Sequence, residues 1–122
     1  MAQAGRRDCQ EGAQGGVAQG LGQALREHCV YDRGGQLLSG SFMDYALPRA
    51  GDMPPVISEL DESQPCTHNP LGAKGCGEAG SIGAPAAIVS AVLEALRPLG
   101  IGDIQLPLTP ERVWQAIHGA RR

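Results

Sequence analysis

Val17, Leu21, Leu25 and Cys29 recur at four-residue steps with Ala24 beside them, which predicts a helix with one apolar stripe from about Gly16. Glu27 and His28 fall off that stripe. Gly16, Gly20 and Gly22 interrupt it, and each glycine costs a helix interior about 1 kcal/mol against alanine. Gly16 and Gly20 stand one turn apart, so a second backbone or a ligand can come close to that face; the alternative is a poorly formed helix start. A second periodic stretch, 84–96, places Ile88, Val92 and Leu96 on one face with Val89 and Leu93 at its flanks. Pro85 falls in its first turn, where a missing N–H is harmless, and Gly100 ends it. A third helix opens at Thr109-Pro110-Glu111, with Thr as N-cap and Pro at the first position, and presents Val113, Trp114 and Ile117.

Between the helices the pattern turns toward strands. The turn Tyr31-Asp32-Arg33-Gly34-Gly35-Gln36 separates Cys29-Val30 from Leu37-Leu38 and reads as a short hairpin. Residues 56–60 alternate weakly and suit a strand, and Asp103-Ile104-Gln105-Leu106 reads as another short strand. Residues 39–55 hold Pro48, Pro54 and Pro55 without any period, a loop long enough that it packs on something or does something. Residues 1–14 show no period and are expected to be disordered or a remnant of something longer. The predicted fold class is α+β: helices packed on a small sheet, within one incomplete domain.

Composition narrows the picture. The chain has 122 residues, 42% of them hydrophobic but only 3% aromatic, so its core rests on Leu, Ile, Val and Ala. A net charge of −3 argues against a nucleic-acid or anionic-membrane binder. No apolar run reaches the roughly 18 residues of a membrane helix, and residues 1–14 carry no export signal. Cys9, Cys29, Cys66 and Cys76 follow no metal or disulfide spacing, which makes reduced thiols in a cytoplasmic setting the expectation.

The chemistry concentrates in a glycine loop, Leu71-Gly-Ala-Lys-Gly-Cys-Gly-Glu-Ala-Gly-Ser-Ile-Gly83. Its glycines, at 72, 75, 77, 80 and 83, allow positive φ and close approach of a partner. A helix follows, so free N–H groups favour an anion there. Gly75-x-Gly77-x-x-Gly80 matches the dinucleotide fingerprint literally, yet no strand precedes it, and Lys74 is misplaced for a phosphate-binding P-loop. Glu78 is the loop's one carboxylate, with small neighbours, and reads either as a general base open to a ligand or as a helix cap. Cys66, His68 and Cys76 lack the fourth ligand and spacing of a zinc site. Asp61-Glu62 reads as a solvated turn and Arg121-Arg122 as a charged tail.

Five ordered segments carry a family resemblance: Gly15-Gly-Val-Ala-Gln-Gly-Leu-Gly-Gln-Ala-Leu25, Tyr31-Asp-x-x-Gly-Gln-Leu-Leu38, Gly40-Ser-Phe-Met-Asp-Tyr-Ala-Leu-Pro48, Asn69-Pro-Leu-Gly-Ala-Lys-Gly-Cys-Gly-Glu-Ala-Gly80 and Leu108-Thr-Pro-Glu-Arg-Val-Trp114. Together they resemble the C-terminal end of the molybdopterin-binding large subunit of the xanthine dehydrogenase and aldehyde oxidase family, in the branch of aerobic carbon monoxide dehydrogenase large chains. The resemblance implies that 15–122 are the C-terminal part of the second molybdopterin-binding domain. It implies a molybdenum–molybdopterin cofactor in its cytosine dinucleotide form. It implies partners as well: the remainder of the large subunit, an iron–sulfur subunit and a flavin (FAD) subunit.

The resemblance further implies that Glu78 stands where the family has its base, which removes a proton so that a small substrate is hydroxylated. Gln19, Gly75, Gly77 and Gly80 are the cofactor-contact candidates, with Gln23 beside Gln19. The family's Gly-Gln pair ahead of Gly15 is replaced by Glu11-Gly12, with Gln10 and Gln14 out of register. On this reading the chain alone gives no turnover. A small phosphate- or nucleotide-binding module, or a remnant without function, are the alternatives.

Overall fold

In a computed structural model, which describes residues 3–120, three helices carry the architecture: α1 (Gln3–Leu25), α2 (Ala79–Leu96) and α3 (Pro110–Ala120). A 3₁₀ turn at Ala50–Asp52 lies within the long connection from α1 to α2, and a second, Arg97–Leu99, extends α2. The expected tail Arg121-Arg122 lies outside the described residues, as do the first two residues of 1–14.

α1 and α2 cross at glycine. A Cβ on Gly16 would lie 2.8 Å from the Ser81 nitrogen and 3.0 Å from Gly80 Cα. One turn on, a Cβ on Gly20 would lie 2.6 Å from Ala84 Cβ and 2.9 Å from Pro85 Cδ. In return, a Cβ on Gly80 would strike the Ala13 carbonyl oxygen. The close approach expected of Gly16 and Gly20 is therefore made, and α2 is what approaches.

Tertiary contact also explains two boundaries the local pattern misplaced. α1 begins at Gln3, not near Gly16, so 3–14 are helical where disorder or a remnant was expected. Ala13 packs on α2, and the Gln10 and Gln14 amides donate to the carbonyls of Ser58 (3.0 Å) and Val56 (3.3 Å). Helical structure there comes from its neighbours rather than from an apolar period. α2 starts at Ala79, ahead of the expected 84, which puts Pro85 in its interior rather than in its first turn.

The expected small sheet is absent among the described residues; a single bridge, Tyr31 to Leu37, is the only β pairing. The hairpin itself forms. Asp32 Oδ1 accepts from the N–H groups of Gly34 (2.8 Å) and Gln36 (2.9 Å), Gly35 takes φ 82°, and the Leu38 N–H donates to Val30 (2.7 Å). Side chains satisfy the other two candidate strands. Carbonyls 56 and 58, one pleat apart, are taken by Gln14 and Gln10, one helical turn apart. The Arg112 guanidinium takes the carbonyls of Gln105, Leu106 and Pro107. Neither segment enters a ladder among the described residues.

The last helix is as predicted. Thr109 Oγ1 accepts from the Arg112 N–H (3.4 Å), and Gly100, at φ 76°, closes the preceding 3₁₀ turn. Its start is tied back to α1 by the Leu108 N–H on the Ala24 carbonyl (2.7 Å). Val113, Trp114 and Ile117 line an open groove of 760 Å³ with Leu21 and Leu25.

The chain exposes 9242 Å², where a compact monomer of its mass exposes about 6,200 Å². Its buried apolar residues are Ala24, Leu96, Ile101 and Leu108, while Phe42, Met43, Ile57, Leu71 and Ile82 stand largely exposed. α2 is apolar all round, the pattern of a helix enclosed by more protein. Contrary to the sequence expectation, Ala79–Leu99 is long and apolar enough to cross a membrane by length and composition.

Candidate functional site

The glycine loop has a tied half and an open half. In the first, the Cys66 N–H donates to the Gly72 carbonyl (3.0 Å) and the Gly72 N–H to Asn69 (3.1 Å), with Gly72 at φ 64°. The Asn69 side chain clamps Ala73, donating to its carbonyl (2.9 Å) and accepting from its N–H (3.1 Å). Beyond Ala73 this pattern stops. The N–H groups of residues 74–77 find no acceptor among the described residues. A Cβ on Gly75 or Gly77 would meet nothing within 4 Å. Neither takes positive φ, so their freedom is spent on open space rather than on a turn.

Glu78 stands at the junction with α2, at φ −93° and ψ −6°. A carboxylate here would ordinarily cap the first-turn N–H groups. Glu78 does not: its side chain accepts no capping bond, and it is exposed, with no partner among the described residues. Its backbone carbonyl does the local work, accepting from Ser81 N–H (3.1 Å), Ser81 hydroxyl (3.0 Å) and Ile82 N–H (3.2 Å). The capping alternative weighed from sequence is not what the side chain does.

The structure sorts the remaining candidates. Gly75 and Gly77 lie with Glu78 on the open half. Gly80 does not; its missing side chain makes room for α1. Gln19 and Gln23 are exposed on α1 with unengaged amides among the described residues. Gln10 and Gln14, out of register in sequence, are committed to Ser58 and Val56. Cys66 Sγ and His68 Nδ1 lie 4.0 Å apart, but Cys76 pairs elsewhere, and no group of three such ligands gathers among the described residues. Asp61 closes its own turn; the hydroxyl and N–H of Ser63 hold its carboxyl below the usual range.

Sequence reading missed one association. Cys76 Sγ lies 2.9 Å from Cys9 Sγ, on α1. Both border a cleft of 440 Å³ lined by Pro65, Leu71, Gly72 and Lys74. Nothing in the cysteine spacing signals this, because the two halves meet only through the helix crossing.

Comparison with known proteins decides the family. Residues 10–54 match the molybdopterin cofactor-binding domain. Subunit gamma of the 6-hydroxypseudooxynicotine dehydrogenase complex of Paenarthrobacter nicotinovorans is 43% identical over 108 residues, 88% of this chain. This chain belongs to the molybdopterin-binding large subunits of the xanthine dehydrogenase and aldehyde oxidase family. Two crystal structures align along nearly its whole length. Quinoline 2-oxidoreductase from Pseudomonas putida 86 gives a TM-score of 0.78 at 41% identity over 88% of the chain, and a Cu,Mo-CO dehydrogenase gives 0.80 at 30% over 93%.

The chain spans only 14% of the length of each of these relatives. The family match covers residues 10–54 and so takes in 10–14. The open half-loop fits the cofactor of this family: a phosphate-bearing pterin is rich in oxygen acceptors, and residues 74–77 offer N–H donors without competing bonds, flanked by glycines that admit it closely.

Proposed function

We propose that this chain supplies the general base and one wall of the cofactor site in a molybdenum hydroxylase acting on a small molecule. The observation that carries the reading is Glu78: an exposed carboxylate, uncommitted to its own helix, following glycines that leave their surroundings clear. The molybdenum cofactor, when bound, supplies the redox and oxygen-transfer chemistry. The part left to the protein is position and a proton acceptor. Fixed by its carbonyl bonds to Ser81 and Ile82, Glu78 holds its backbone still while the carboxylate stays available to take a proton. The N–H groups of 74–77 hold the cofactor's phosphate, and Gln19 and Gln23, further along α1 on the stretch that packs beside Gly80–Pro85, hold its pterin edges. We assign cofactor contact to Gln19, Gly75 and Gly77, and helix packing to Gly80.

The rest of the large subunit belongs to this reading. It covers the excess apolar surface, encloses α2 and excludes water from Glu78. Iron–sulfur and flavin partners carry electrons away, the cofactor takes its cytosine dinucleotide form, the setting is cytoplasmic, and the chain by itself turns nothing over. The test is Glu78→Gln in the assembled enzyme. Turnover falls by about 10²- to 10⁴-fold, while molybdenum content stays at the wild-type level. Unchanged turnover with cofactor retained leaves the loop as an anion-binding module, and loss of molybdenum makes Glu78 a scaffold residue; either result removes it as the base.

A further inference from the structure

We propose that Cys9 and Cys76 are a redox couple that closes into a reversible disulfide, tying α1 to the glycine loop. Their sulfurs lie 2.9 Å apart, so an approach of less than about 1 Å reaches covalent distance. Both thiols are half-buried yet border the open cleft of 440 Å³, which gives a small oxidant access. The other two cysteines have no such neighbour: Cys66 lies by His68, and Cys29 is exposed.

The reaction is thiol–disulfide exchange with a small-molecule disulfide of the glutathione type. The hydrogen bond with Cys76, desolvation and the charges of Asp8 and Glu62 push the Cys9 thiol above its ordinary value. The Cys76 thiolate forms a bond to one glutathione sulfur and expels the other as thiolate. Cys9 then attacks Cys76 sulfur and expels the second glutathione. Two protein thiols are oxidised by two electrons, one glutathione disulfide is reduced to two thiols, and the two protons pass to the leaving thiolates. A dithiol reductant reverses the exchange.

The cross-link does not depend on the molybdenum reading. One consequence does rest on it: the bond would anchor the chain two residues from Glu78.

Sequence separation makes the test sharp. Cys9 and Cys76 are 67 residues apart, the widest of the possible pairings. In an unfolded chain loop-closure entropy favours Cys66–Cys76, ten residues apart, over Cys9–Cys76 by about 17-fold. Only the folded arrangement reverses that order. The 122-residue chain is treated with oxidised glutathione, its free thiols are alkylated, and it is digested with trypsin without reduction. The four cysteines fall in separate tryptic peptides, 8–26, 27–33, 50–74 and 75–112, so mass spectrometry resolves every pairing.

The expected result is 8–26 joined to 75–112, with Cys29 and Cys66 alkylated, and a shift to Cys66–Cys76 when oxidation is run in guanidinium chloride. Cys29→Ser/Cys66→Ser keeps the link, and Cys9→Ser abolishes it. Dominant Cys66–Cys76 without denaturant, a scatter of pairings, or four alkylated thiols after oxidation each overturn the proposal.

Discussion

At Gly16, Gly20 and Gly80 an added Cβ would strike a neighbouring backbone or side chain; at Gly75 and Gly77, a few residues before α2, it would meet nothing within 4 Å. The first set lets two helices touch backbone to backbone. The second leaves donors and space that the described residues do not use. Both sets are glycine-rich stretches in the sequence, and both carry negative or ordinary φ. What separates them is occupancy. One surface is filled from within the chain, and the other faces outward beside a carboxylate with no partner among the described residues.

Substitution separates the two sets by magnitude. Gly80→Val forces a branched side chain into the Ala13 backbone and destabilises the helix pair by about 3 kcal/mol, the upper end of overpacking costs. The readout is the urea midpoint of far-ultraviolet ellipticity. Gly77→Ala, in open space without positive φ, stays within about 0.5 kcal/mol in the same measurement. In the assembled enzyme Gly77→Ala instead lowers molybdenum content, because the methyl group occupies space assigned to the cofactor. Equal stability losses for the two variants would break the distinction between packed and open glycine.

Much of the helix crossing was legible. The one-turn spacing of Gly16 and Gly20 marked a close-approach face, and Thr109-Pro110 and Gly100 marked a start and an end because capping is local chemistry. What escaped was decided by distant groups. Residues 3–14 lack a period, yet are helical against α2 and the 56–58 segment. Residues 56–60 and 103–106 have strand-like patterns, yet Gln10, Gln14 and Arg112 take carbonyls that a ladder would need. At the site, Glu78 was visible as the loop's lone carboxylate. That its side chain leaves the helix uncapped, and that Cys76 meets Cys9, are facts of tertiary geometry that no residue spacing encodes.

A third kind of glycine sharpens the comparison further. At Gly22 the space over Cα is filled by a carboxylate: an added Cβ would run into Glu27 Oε1 and lie 2.7 Å from Pro48 Cγ. That same carboxylate accepts the Tyr45 hydroxyl at 2.7 Å through Oε2. The hydrogen bond to Glu27, with desolvation and the Glu27 charge, pushes the Tyr45 phenol up to about 12.

A raised phenol pKa means the folded state holds its proton longer than the unfolded chain, whose tyrosine titrates near 10. The contact's stabilisation is whole below about pH 10 and is lost as pH rises toward 12. In a Tyr31→Phe background, phenolate absorbance reports Tyr45 alone and should show its midpoint near 12. Adding Gly22→Ala displaces Glu27 and returns the midpoint toward 10, with little change in helical signal. A midpoint that ignores Gly22→Ala would mean that Glu27 has room to move, and that Gly22 belongs with the open glycines rather than the packed ones.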